Sequence, residues 1–103
     1  MLAYDIRSNG ASAAITFEGD IDVDAADLIE ERVPSALMPF QEIEIYLTGV
    51  PFVDSSGIAL MITLIGSLKQ SGKRVVVRHV QPEVMEVFDM LQLRDILGED
   101  VLE

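Results

Sequence analysis

Thr48-Gly49-Val50-Pro51-Phe52-Val53-Asp54-Ser55-Ser56-Gly57 separates two segments of different period. Ahead of it, Glu42-Ile43-Glu44-Ile45-Tyr46-Leu47 alternates apolar with polar residues, as a strand with one buried face does. Behind it, Ile58 to Leu68 is apolar almost throughout, which predicts a buried helix from about Ser56 to Gln70. Asp and Ser are favoured at such a junction because their side-chain oxygens accept from the free N–H groups of a first helical turn. The same helix end stabilises anions, a phosphate included. Taken alone, however, an Asp-Ser-Ser-Gly before an apolar run is ordinary helix capping, so the rest of the chain has to decide what it does.

Toward the N-terminus, Leu2, Tyr4 and Ile6 alternate with Ala3, Asp5 and Arg7, and Ala13, Ile15 and Phe17 alternate with Ala14, Thr16 and Glu18. Asn9-Gly10 between them suits the positive φ values of a tight turn, so the chain opens with a β-hairpin. Gly19-Asp20-Ile21-Asp22-Val23-Asp24 then leads into a helix expected over Asp24 to Val33. That helix should bury Ala25, Leu28, Ile29 and Val33 and be ended or bent by Pro34.

Toward the C-terminus, Ser71-Gly72 is a glycine stop for the central helix, and Val75-Val76-Val77 between basic residues reads as a buried parallel strand. Pro82 suits a first helical position, with Val84, Val87, Phe88 and Leu91 as the apolar stripe that follows. Leu93 to Leu97 forms one further turn, and Glu99 to Glu103 is expected to fray. The order β-β-α-β-α-β-α calls for parallel strands joined by right-handed crossovers. The predicted fold is therefore a single α/β domain over residues 1–103. Its mixed sheet has four or five strands, with helices mainly on one face and Ile43, Ile45, Val75, Val77 and most of residues 58–68 in the core. Strands ending near Gly19, Leu47 and His79 would share one rim, where α/β sheets place their sites. Asp20, Asp22, Asp54, Ser55, Ser56, Arg78 and His79 would meet there.

Composition narrows the chemistry. The chain has 103 residues, no cysteine and one histidine, which removes disulfides, thiolate catalysis and cysteine-based metal sites. Its net charge of −11 opposes nucleic-acid backbones and anionic lipid surfaces. It suits a partner with a basic docking face and equally well serves solubility alone, so charge by itself decides little. The longest apolar helix, about 11 residues or roughly 16 Å, falls short of a bilayer core of about 30 Å. No leader pattern opens the chain, and a cytoplasmic location is expected. A serine hydrolase would need Ser55 or Ser56, His79, and Asp20 or Asp22 as nucleophile, base and orienting acid, but no Gly-x-Ser-x-Gly elbow is present. No phosphate-binding loop of the Gly-x-x-x-x-Gly-Lys type occurs either. Asp20, Asp22 and Asp54 are the residue type that holds a hard cation, though they read better as solvated helix-start residues. No metal, cofactor, small-molecule substrate or enzymatic activity is expected. What remains is a covalent modification: a phosphoryl group on Ser55 would add about −1.5 to −2 charges beside Asp54.

Three segments resemble the STAS domain of bacterial anti-sigma factor antagonists, over a match running from about Phe17 to Leu97. They are Gly19-Asp20-Ile21-Asp22, the stretch Leu47 to Gly57, and the helix-to-strand join Gly72-Lys73-Arg74-Val75. The resemblance implies that Ser55 is phosphorylated by an anti-sigma factor that is also a serine kinase. It also implies that the unphosphorylated form binds that kinase and frees a sigma factor, and that a phosphatase resets the switch. Asp20, Asp22, Asp54, Ser56 and Gly57 would then contribute to partner binding. Family members often carry Asp where this chain has Tyr46. STAS domains also serve as constitutive interaction subunits of ABC transporters or sensory complexes, the alternative that the resemblance leaves open.

Overall fold

The computed structural model describes the whole chain, Met1–Glu103. β1 (Ala3–Asn9) and β2 (Ser12–Glu18) form the expected antiparallel hairpin, closed by Gly10 at φ +61°. β3 (Glu42–Gly49) lies parallel to β2, and β4 (Arg74–Arg78) parallel to β3. The sheet order is β1-β2-β3-β4, so the four strands run in sequence across a mixed sheet. Alternation sets its two faces. Ala13, Ile15 and Phe17, then Ile43, Ile45 and Leu47, then Val75 and Val77 are buried under the helices, while the residues between them stay accessible. The expected fold class is the one observed. β4 departs in detail, because Val76 is only half-buried: the face it occupies carries no helix.

The central helix α2 (Ser55–Gln70) buries Ile58, Met61, Leu64, Ile65 and Leu68 and ends at Gly72 with φ +83°. Its apolar run therefore serves the core, and the opposite side keeps Ser56, Ala59, Thr63 and Ser67 exposed. The helix expected at Asp24 to Val33 is instead a composite over residues 23–37. A 3₁₀ turn (Val23–Ala25) opens it, a π-type stretch (Leu28–Arg32) follows, and α1 (Val33–Leu37) completes it. Pro34 does not end it. In a regular α-helix the proline ring would strike the carbonyl four residues back, and the wider turn immediately before it lets the chain continue to Leu37. Ala25, Ile29, Val33 and Leu37 are buried along this segment, and Leu28 is half-buried.

α3 (Pro82–Met90) buries Val84 and Phe88, and α4 (Leu93–Leu97) buries Leu93 and Leu97. Leu91 falls outside the stripe expected of it, at 47% exposure. α3 has ended by then, and the left-handed turn at Gln92 brings Leu93 into the core instead. Residues 99–103 are not frayed. Val77 N–H donates to the Val101 carbonyl at 2.7 Å, Glu103 N–H donates to the Val77 carbonyl at 3.0 Å, and Val101 and Leu102 are buried. The C-terminus thus caps the outer edge of β4 as a one-bridge fifth strand. No helix is long and apolar enough to cross a membrane.

Candidate functional site

The rim is assembled by two loops that run side by side. After β2, Gly19 N–H donates to the Gly49 carbonyl at 3.0 Å, and Ile21 N–H donates to the Phe52 carbonyl at 3.0 Å. Asp54 N–H returns a bond to the Ile21 carbonyl at 3.3 Å, and Ile21 pairs with Val53 in a parallel bridge. The residues that follow the bridge, Asp22 and Asp54, each start a helix. Asp22 Oδ1 accepts from Asp24 N–H at 3.0 Å, and Asp54 Oδ1 accepts from Gly57 N–H at 2.8 Å. The cap of α2 is therefore Asp54. Neither Ser55 nor Ser56 spends its hydroxyl on the helix start, contrary to the capping role open to them from sequence.

Gly57 fixes how closely the loops approach. It is buried, and a Cβ built on it would stand 1.9 Å from the Ile21 carbonyl oxygen. Only hydrogen at that position lets α2 begin against the loop after β2. Ser55 is consequently held as the first residue of α2, exposed, with its hydroxyl unengaged. Gly57 N–H is occupied by Asp54, while the N–H groups of the first two helical residues have no partner within the helix and face outward with the positive end of its dipole. Asp20, in the loop after β2, is exposed, and Asp22 and Asp54 are half-buried. The three carboxylates form no cluster able to hold a metal ion.

Two members of the expected rim do not join it. Arg78 turns onto the open sheet face, where Nη1 bonds Glu103 at 2.5 Å and Nε lies 2.9 Å from Glu44. The Glu44 contact is an ion pair by distance only, since Nε does not aim its hydrogen at the carboxylate. His79 stands at φ +58° with its ring edge-on to Tyr46, centroids 5.1 Å apart, and bonds neither serine. The hydrolase triad is not assembled. Tyr46, where family members often carry Asp, donates to Glu44 at 3.3 Å on the same open face.

Apolar surface next to the serines was not anticipated. Val23 is 65% exposed and Phe52 51% exposed. A shallow groove lined by Val23, Ala26, Glu30, Ser56, Ala59 and Leu60 runs from the rim between the composite helix and α2. Its signal in the sequence is the run of small residues Ser56, Ala59 and Thr63, spaced three and four apart within an otherwise apolar helix.

A family model described as STAS domain matches residues 3–101. A relative from Bacillus subtilis named anti-sigma-B factor antagonist is 23% identical over 93 residues, covering 90% of this chain and 85% of its own. Among solved structures, the anti-sigma factor antagonist SpoIIAA in its unphosphorylated form superposes with a TM-score of 0.75 at 21% identity, over 98% of this chain and 86% of that one. The Bacillus cell fate determinant SpoIIAA in its phosphorylated form gives 0.71 at 20% identity, over 98% and 89%. These structural likenesses establish a shared fold.

Proposed function

This chain belongs to the STAS domain family, and on that premise we propose that it is an anti-sigma factor antagonist switched by phosphorylation of Ser55. The partner is an anti-sigma factor that is also a serine kinase. The unphosphorylated chain binds it and frees a sigma factor, the phosphorylated chain is released, and a phosphatase resets the cycle. These partners place the protein in the cytoplasm. The carrying observation is Ser55 itself: an exposed, unengaged hydroxyl at the first position of a long helix, held there by the Asp54 cap and by Gly57.

In the transfer, the γ-phosphorus of the kinase's ATP forms a bond to Ser55 Oγ as its bond to the bridging oxygen of ADP breaks. The hydroxyl proton passes to a base on the kinase. The product carries about −1.5 to −2 charges at neutral pH. Within the chain, the positive end of α2 offsets part of the repulsion from Asp20, Asp22 and Asp54. A partner docked over the rim and the apolar groove would strip water from the phosphate and enclose it with this chain's own rim carboxylates, and that desolvation and crowding weaken the complex. The exposed Val23 and Phe52 supply the apolar contact that the unphosphorylated complex would bury.

The reading is tested by incubating the protein with its anti-sigma kinase and ATP, then mapping phosphate by mass spectrometry. One phosphate on Ser55, absent from Ser55→Ala, is the expected result. Phosphate on Ser56 would contradict it. So would tight binding with no phosphorylation at all, which would leave a constitutive interaction subunit as the description.

A further inference from the structure

We propose that the outer edge of β1 is a self-association surface on which a second copy of this chain adds its own β1, antiparallel, about a two-fold axis at Ile6. The two edges of the sheet are treated differently. The β4 edge is closed by the bonds from Val77 to Val101 and from Glu103 to Val77, whereas β1 is the terminal strand and no hydrogen bond from any loop or other element ends on its backbone. β1 lacks several of the usual protections of a free edge: it carries no proline, no lysine and no bulge, and pairs in unbroken register over Ala3 to Asn9. Its only charges are the mutually paired Asp5 and Arg7.

The strand's own chemistry selects the occupant. In a hairpin closed by the two residues Gly10 and Ala11, the flanking Asn9–Ser12 pair is hydrogen-bonded. Alternation from there turns the N–H and C=O groups of Tyr4, Ile6 and Ser8 outward. A second β1 can satisfy all of them when Ile6 faces Ile6 of the second copy and Tyr4 faces Ser8. In that register Asp5 stands directly opposite Arg7 of the second copy, and Arg7 opposite Asp5, at the non-hydrogen-bonded sites where side chains approach most closely. Sliding by one step of the ladder in either direction instead puts Asp5 against Asp5 or Arg7 against Arg7. The charges therefore accept one register and reject its neighbours. Asp5 and Arg7 are now paired only with each other, at 3.3 Å and with side chains 68% and 89% exposed, so both are free to exchange partners. Tyr4 and Ile6, half-buried at the margin of the core, would gain cover. The strand is electrically neutral in a chain of net charge −11, which makes it a stretch where two copies can meet without local repulsion. This surface is separated from Ser55 by β2 and does not rest on the function proposed above.

The test is sedimentation equilibrium of the full chain from about 1 µM to about 1 mM, the range over which small interfaces associate. Wild type is expected to reach a monomer–dimer equilibrium. Asp5→Arg and Arg7→Asp, both at exposed positions that should leave the circular dichroism spectrum unchanged, should each weaken dimerisation about tenfold or more. An equimolar mixture of the two variants should associate again, as should the double variant Asp5→Arg/Arg7→Asp, because both restore opposite charges across the two-fold. A wild type that stays monomeric throughout overturns the proposal. So do single variants that dimerise like wild type, or a mixture and double variant that fail to recover.

Discussion

Gly57 and Asp54 together hold Ser55 where it can be reached, and each does so through one atom-scale contact. Any side chain at residue 57 would have to displace the Ile21 carbonyl oxygen, which stands 1.9 Å from a Cβ there. Backbone is expensive to move, so Gly57→Ala should cost about 1–3 kcal/mol, with the upper end expected. Urea melts would show it as a lower midpoint at unchanged slope. Asp54→Ala removes the acceptor of the 2.8 Å bond from Gly57 N–H and should cost about 1 kcal/mol, within the usual range for a cap. Ser56→Ala, by contrast, removes an exposed hydroxyl that bonds nothing and should stay within about 0.5 kcal/mol of wild type. The same melts separate these three outcomes, because a capping role for Ser56 would invert the order of the last two.

At the scale of elements, α2 contributes more buried apolar residues than any other helix or strand: Ile58, Met61, Leu64, Ile65 and Leu68. Leu64 is 3% exposed at mid-helix, and Leu64→Ala should cost about 2–5 kcal/mol by lost transfer energy plus the cavity left behind. The closing segment can be tested in the same way. Leu102 is 4% exposed, and Leu102→Ala should cost about 2 kcal/mol, the low end of that range because a terminal segment relaxes more easily than a helix. A loss under about 0.5 kcal/mol in denaturant melts would mean that residues 99–103 do fray. Alternation in residues 42–47, the hairpin signalled by Gly10 and the long apolar run after Gly57 were legible because each is a local pattern with one physical meaning, although the turn residues are Gly10 and Ala11 and Asn9 instead closes β1. Asp54 as a cap was legible for the same reason. The docking of Val101 and Leu102 was not, since it depends on a free edge at Val77 that no local pattern marks. Nor was the π-type stretch before Pro34, where packing of Ile29, Val33 and Leu37 keeps a helix going that the proline alone would stop. Exposure of Val23 and Phe52 was hidden too, because hydrophobicity predicts what can be buried and not what a fold leaves out.

For the whole molecule, the parallel order of β2, β3 and β4 brings the ends of β2 and β3 to one rim, and that rim carries Ser55 with its acidic and apolar surroundings. The central claim is that the charge on Ser55 sets partner affinity while the fold stays the same. Titration calorimetry against the cognate anti-sigma factor tests it most directly, using wild type, Ser55→Ala and Ser55→Asp. Ser55→Ala should bind as wild type does and, being unable to accept phosphate, remain bound in the presence of ATP. Ser55→Asp adds about one negative charge where the partner docks, and a cost of several kcal/mol there weakens binding about a hundredfold or more. Ser55→Asp binding as tightly as wild type, with an unchanged melting temperature, would contradict the switch.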